Sequence, residues 1–565
     1  MMSLSDGGRS VAESLGAIPV PANTGDPKLR QLRNVIEEMA IAAGMPVPGI
    51  YLMEDEPGIN AFAAGYSVAD AVICVTQGCL DYLTRDELQG VIAHEFSHVL
   101  NGDMRLNIRL MGLLFGIMML AVIGRQLSYL GDTDSERRRG IDLYTLGIGL
   151  TLLSIGYLGY FFGRLIQAAV ARSRETLADA SAVQFTRQTH GIAGALKKIA
   201  VVSEGSELQV GNRHEVAHML FGEADESGFF QAWYATHPPL LKRIRSLDPV
   251  FRERELEKLA TSMQAVSEQL EKAREPAPVT SSAAAGAASD ALWRAGLAAS
   301  MPRDHTQLGR FDQAADLQRN VPAALKQAAA QPESAMSLVF ALAMSTYGAL
   351  RDAQQRLLAN AFGDDLLYTV SELAAEVGKL SPELRLPLIS LAFPALRQLP
   401  EGRLQTFLDT LDALVRASRK VNLDDYCLTR LLRVQLLEAM RPRSAPVDGK
   451  KKLPACVASV SLVLAVVAAY GHADQVAANR AWLLAMDNAF PGMACTWQAP
   501  PADWQGPFER ALIDLDGLMP AAKDILIQSL DRAIRADGSV TMVEAELLRV
   551  ICASLHCPLP PLQLS

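Results

Sequence analysis

Leu143–Gly163 is a run of 21 residues without a charged side chain, long enough to cross a bilayer as one helix. Leu110–Gly124, 15 uncharged residues, stands just before it, and Arg109 and Arg125 at its ends can snorkel toward a polar surface. By length alone the shorter run reads as a buried core helix. The residues on either side of the two runs argue otherwise.

Ahead of both runs lies Val91-Ile92-Ala93-His94-Glu95-Phe96-Ser97-His98-Val99-Leu100. On a helix, histidines four apart project from one face and can bind a single metal ion, with the glutamate between them placed to act on a water. This H-E-x-x-H pattern is the signature of zinc proteases, and Glu95 apart the segment is uncharged, so its helix can be buried. The pattern recurs at His214-Glu215-Val216-Ala217-His218. That copy follows Gly211-Asn212-Arg213, a helix start, and the acidic residues beyond it sit in a glycine-containing loop. It reads as two polar residues on a helix face. Beyond both apolar runs, Glu175 has Asp179 one turn later on the same face. Glu175 would complete a His2Glu site with an open fourth position, and Asp179 is placed to accept from the non-ligating nitrogen of a histidine. Taken alone, the two carboxylates are an ordinary solvated helix face.

Four segments follow one another in order: Asn60-Ala61-Phe62-Ala63-Ala64-Gly65; the His94 motif ending Asn101-Gly102-Asp103; Ser173-Arg174 with Glu175 and Ala178-Asp179; and Thr236-His237-Pro238-Pro239 with Arg243-Ile244. With this combination, residues 10–250 or so resemble the HtpX-type membrane zinc metallopeptidases, gluzincins related to the CAAX prenyl proteases. The resemblance implies that His94, His98 and Glu175 bind one Zn2+ per chain and that Glu95 is the general base. It also implies an edge strand at Asn60, Ala61, Phe62 and Ala63 along which an extended polypeptide lies, which suits an Ala/Gly-rich stretch able to hydrogen-bond through its backbone. Two readings of His237 stand, a helper that stabilises the oxyanion and a helix-start histidine before two prolines.

His98 precedes both apolar runs and Glu175 follows both, yet the ligands must meet at one ion. The chain therefore crosses the membrane an even number of times between them. Two crossings give a transmembrane helical hairpin with Gln126–Asp142 on the far side. Arg105, Arg109, Arg164, Arg172 and Arg174 flank it on the catalytic side, against Arg125, Arg137, Arg138 and Arg139 opposite, a balance that favours a cytoplasmic active site. The resemblance implies the same, in a bacterial plasma membrane. It also implies two further hydrophobic segments ahead of the protease domain. The chain instead opens Met1-Met2-Ser3-Leu4 with polar and glycine-rich residues and nothing that reads as a signal peptide, so either one hairpin serves or the start is trimmed.

At 565 residues the chain is expected to hold about three folding units. A net charge of −9 excludes a nucleic-acid partner. Seven scattered cysteines with no C-x-x-C pair suit buried free thiols in a reducing compartment.

Past residue 250 the character changes. Phe251–Arg274 reads as an amphipathic helix, and Glu275–Asp290 as a Pro/Ala/Ser linker. Leu338–Leu350, Pro382–Leu399, Arg403–Val415 and Leu428–Ala439 each repeat apolar residues at helical spacing. Leu453–Gly471, 19 uncharged residues, is long enough to span a membrane, but its amphipathic neighbours favour a buried helix. Asp537-Gly538-Ser539-Val540 with Glu544 resembles the turn of TerB-like helical domains, and a cation-binding turn competes there with a helix-start turn bearing surface carboxylates.

The expected fold is mainly α: a zincin-like metalloprotease domain with a small edge β-sheet, interrupted by a transmembrane hairpin and followed by an all-α region. The expected parts are a first catalytic segment (1–109), the hairpin (110–163), a second catalytic segment (164–250), an amphipathic helix and linker (251–310) and a helical C-terminal domain (311–565). The expected function is a membrane-bound zinc metalloendopeptidase acting in membrane protein quality control, with polypeptide substrates, the lipid bilayer, and a protein partner through the C-terminal helices. Two alternatives are a non-proteolytic zinc-containing scaffold and a CAAX-type processing protease.

Overall fold

The structure, a computed structural model, describes residues 7–130, 139–202, 238–274, 310–418, 423–441 and 449–557. The chain forms two compact units, residues 1–39 with 49–313 and residues 40–48 with 314–565.

The first unit opens with α1 (Gly7–Ser14), β1 (Ile18–Pro19), α2 (Pro27–Ala43), β2 (Gly49–Met53), β3 (Ala61–Ala64) and β4 (Val72–Thr76). Val72-Ile73-Cys74-Val75-Thr76 is rich in β-branched residues and entirely buried, which suits a central strand. The sheet order is β1-β2-β4-β3. β4 pairs parallel with β2 and antiparallel with β3, Ala61 opposite Val75 and Ala64 opposite Val72. The expected edge strand is therefore β3, at the end of the sheet, and its four side chains are buried.

α3 (Gln77–Tyr82) leads into α4 (Arg85–Leu100), whose start is fixed by a capping box: Thr84 accepts from the Glu87 backbone while Glu87 reaches back to the Thr84 N–H. α4 packs on α7 (His190–Val202) so closely that a Cβ on Gly90 would meet the backbone of Ile192, and one on Gly191 the carbonyl of Asp86.

Between α4 and α7 run two long helices, α5 (Asp103–Leu130) and α6 (Arg139–Thr186). Both extend well past the apolar runs seen in the sequence, because their polar flanks are also good helix formers. They pack antiparallel: a Cβ on Gly124 would collide with Leu153 and one on Gly156 with Ala121. Each is long and apolar enough to cross a membrane. Only 12% and 11% of their most apolar windows is buried, and Leu113, Phe115, Ile155, Leu158 and Phe162 are all more than half exposed. Apolar surface on that scale needs lipid.

The second unit is all helical. Leu453–Gly471 also meets the length and hydropathy of a membrane span, but half of it is buried. Val460, Val463, Leu464, Val466, Val467 and Ala468 are fully enclosed in a core that also holds Trp482, Trp504 and Phe508. The expected helix Leu338–Leu350 is two helices, Pro332–Ala343 and Gly348–Phe362. Gln354, buried on the second, stabilises the break: it accepts from the Ser345 N–H and donates to the carbonyls of Ala343 and Leu414. The Asp537–Glu544 turn starts the helix Met542–Ser554 through a Thr541/Glu544 capping box. Glu544 is 1% exposed, so it is not the surface carboxylate the sequence suggested.

Candidate metal centre

α4 presents His94 and His98 from one face, and α6 carries Glu175 to them. Membrane helix and ligand helix are thus one element, so the hairpin that separates the motifs in sequence rejoins them in space. The Nε2 atoms of His94 and His98 are 3.2 Å apart. Glu175 places Oε2 3.5 Å from His94 Nε2 and Oε1 3.4 Å from His98 Nε2. Donors about 2.0–2.1 Å from a common tetrahedral centre stand about 3.3–3.4 Å apart. The three residues therefore fit a small divalent cation bound through two imidazoles and a carboxylate.

Both imidazoles are oriented from behind. His94 Nδ1 lies 3.0 Å from Asp179 Oδ1, and His98 Nδ1 lies 2.9 Å from Asp103 Oδ2. A proton on Nδ1 facing a carboxylate leaves the Nε2 lone pair for the metal. Asp179 is in turn gripped by Arg243, whose Nε and Nη2 donate to its two oxygens at 2.8 and 2.6 Å. Arg243 Nη1 also lies 3.3 Å from Glu175 Oε2. His94, Glu95, Asp103, Glu175, Asp179 and Arg243 are all at most 5% exposed. Burial alone would lower the pKa of His98, but its hydrogen bonds to Asp103 and Glu175 outweigh it and take it up to about 10. His94 is raised in the same way: burial opposes the shift, and Asp179 and Glu175 prevail. The cluster's field favours positive charge at its centre.

Comparison with known proteins gives the family. The model of peptidase family M48 matches residues 27–250. The chain is 40% identical over 218 residues to the protease HtpX homolog of Dictyoglomus turgidum, covering 38% of this chain and 68% of that protein. It is 37% identical over 239 residues to the HtpX homolog of Caldanaerobacter subterraneus subsp. tengcongensis (41% and 75%), and 36% over 220 residues to that of Streptococcus pyogenes serotype M28 (38% and 71%). The chain belongs to peptidase family M48. No solved structure matches it. As an HtpX-type member of M48, it is a metallopeptidase, and its two exposed apolar helices make it membrane-associated.

Among the sequence candidates, the structure brings His94, His98, Glu175 and Asp179 together, with Glu95 close enough to act electrostatically on His98. Asn60, Ala61, Phe62 and Ala63 lie at and in β3, which packs against α4. Beside them Cys79 donates to the Asn60 carbonyl at 3.0 Å, and burial pushes its thiol up to about 11, so it is a packed side chain and not a nucleophile. His237 and the second H-E-x-x-H copy, His214–His218, lie outside the described residues. Sequence reasoning gave no role to Asp103 or Arg243. Both stood inside quoted motifs, but Asp103 reaches His98 only because α4 ends at Leu100 and the chain turns at Gly102, which the spacing does not reveal.

Proposed function

We propose that this M48 peptidase is a zinc-dependent metalloendopeptidase of the bacterial plasma membrane, with its catalytic face toward the cytoplasm, that hydrolyses extended polypeptides. The observation that supports it is the set of three donors at tetrahedral spacing, two of them buried and His98 partly so, with each imidazole backed by a carboxylate. Zinc fits this N2O donor set, which leaves one position open. When bound, the metal supplies Lewis acidity toward a water and the scissile carbonyl. Glu95 accepts the water's proton during attack and delivers it to the leaving amine. Asp179 and Arg243 hold His94 and Glu175 in place. Asn60 and the β3 residues Ala61, Phe62 and Ala63 offer a strand edge against which a substrate backbone can lie extended, and His237 serves the oxyanion.

The pairing of such a site with a membrane hairpin supports a role in membrane protein quality control. The juxtamembrane arginines support the cytoplasmic orientation. Cleavage of an unfolded model substrate by detergent-purified protein, with zinc content measured alongside, tests the reading. Zinc-dependent cleavage supports it, and a metal-free or inactive protein contradicts it.

A further inference from the structure

The two histidines are backed by similar devices. His94 has Asp179, held by Arg243. His98 has Asp103, whose Oδ2 is 2.9 Å from His98 Nδ1 and whose Oδ1 is 3.0 Å from Nε of Arg174. Asp103 is the first residue of α5, and Arg174 adjoins Glu175 on α6. This ion pair therefore joins the two membrane helices at the metal centre.

We propose that Asp103 is a positioning residue that holds His98 toward the metal, and that Arg174 holds Asp103, clamping the metal centre across the base of the hairpin. The proposal rests on the zinc reading above. His98 needs such a support more than His94 does, because its side chain is 17% exposed against 1%. Close packing adds to the hold of Asp179 on His94, whereas the more exposed ring of His98 depends more on the partner at its Nδ1. Asp103, 3% exposed, is buried enough for its hydrogen bond to be directional. Arg174 is about one-third exposed at the side chain, so its hold on Asp103 is the weaker link and is open to screening by salt. In the sequence Arg174 counts among the membrane-flanking cations, whereas in the structure its Nε lies 3.0 Å from the buried Asp103.

Zinc release tests this on the full-length protein in detergent. The zinc-loaded protein is mixed with excess chelator, and release is followed with a zinc indicator for wild type, Asp103→Asn, Arg174→Ala, Arg174→Lys, the Asp103→Asn/Arg174→Ala double variant, and Arg172→Ala as a neighbouring-charge control. Asp103→Asn is expected to release zinc at least about tenfold faster, as loss of a partner behind a metal-bound histidine usually does. Arg174→Ala is expected to release it several-fold faster, Arg174→Lys to fall between Ala and wild type, and Arg172→Ala to match wild type. The double variant is expected to release no faster than Asp103→Asn alone, since Arg174 acts through Asp103. Wild-type release from Arg174→Ala, or multiplied effects in the double variant, would overturn the clamp. Should Asp103→Asn fail to fold, the Arg174 pair against Arg172→Ala decides it. A wild type that binds no zinc would instead refute the metal reading itself.

Discussion

Arg243 faces Asp179 and Glu175, so its loss leaves two buried carboxylates without their arginine partner. Removing one partner of such a buried pair typically costs about 3–5 kcal/mol. Arg243→Ala is therefore expected to lower thermal stability and zinc content together, and Arg243→Lys, which lacks the two-pronged geometry, to recover them only in part. Scanning calorimetry with metal analysis checks this. Retention of wild-type stability and zinc by Arg243→Ala would remove it from the site. In the second unit, Asp516 accepts from Lys523 and lies 3.0 Å from His556 Nδ1. Burial would raise its pKa, but these partners hold it well below the usual carboxylate range. A folded-state pKa below the unfolded value gives stability that is present above about pH 4 and is lost as pH falls through the folded value. Asp516→Asn is thus expected to melt a few degrees lower at pH 7, with the gap to wild type closing at strongly acid pH. A gap that stays constant with pH would contradict the ion-pair account.

At the scale of elements, the hairpin shows what the sequence carried and what it withheld. The two uncharged runs and the position of His94, His98 and Glu175 around them pointed to an even number of crossings, and these three residues do meet in the structure. The ends of α5 and α6 were not legible, because helix propensity in their polar flanks leaves no mark that hydropathy detects. The break at Met344–Tyr347 was equally hidden, since it depends on Gln354 reaching carbonyls that only tertiary packing brings near. Close packing of α5 on α6 hinges on small residues, as at Gly156 over Ala121. Gly156→Leu should force the helices apart and lower the detergent melting temperature. Gly116→Leu, at a position with open space around it, should leave it near wild type. Equal melting of the two variants would show that the hairpin is not tightly packed.

For the whole molecule, the M48 match ends at residue 250, and most of the helical second unit, residues 314–565, lies beyond it. Leu453–Gly471 illustrates why composition alone misleads at this scale. Its hydropathy equals that of a membrane span, yet its side chains fill the core of a helical unit, and only the amphipathic neighbours in the sequence hinted at this. In the first unit, the proposed metal centre is assembled across a membrane hairpin with Glu95 as its base. The most direct test is cleavage of an unfolded substrate by wild type beside Glu95→Gln, with zinc counted on both. The expected result is about one zinc per chain on each protein and cleavage by wild type alone, with the variant reduced at least about a hundredfold. Equal cleavage by both proteins, or no zinc on either, would contradict the account.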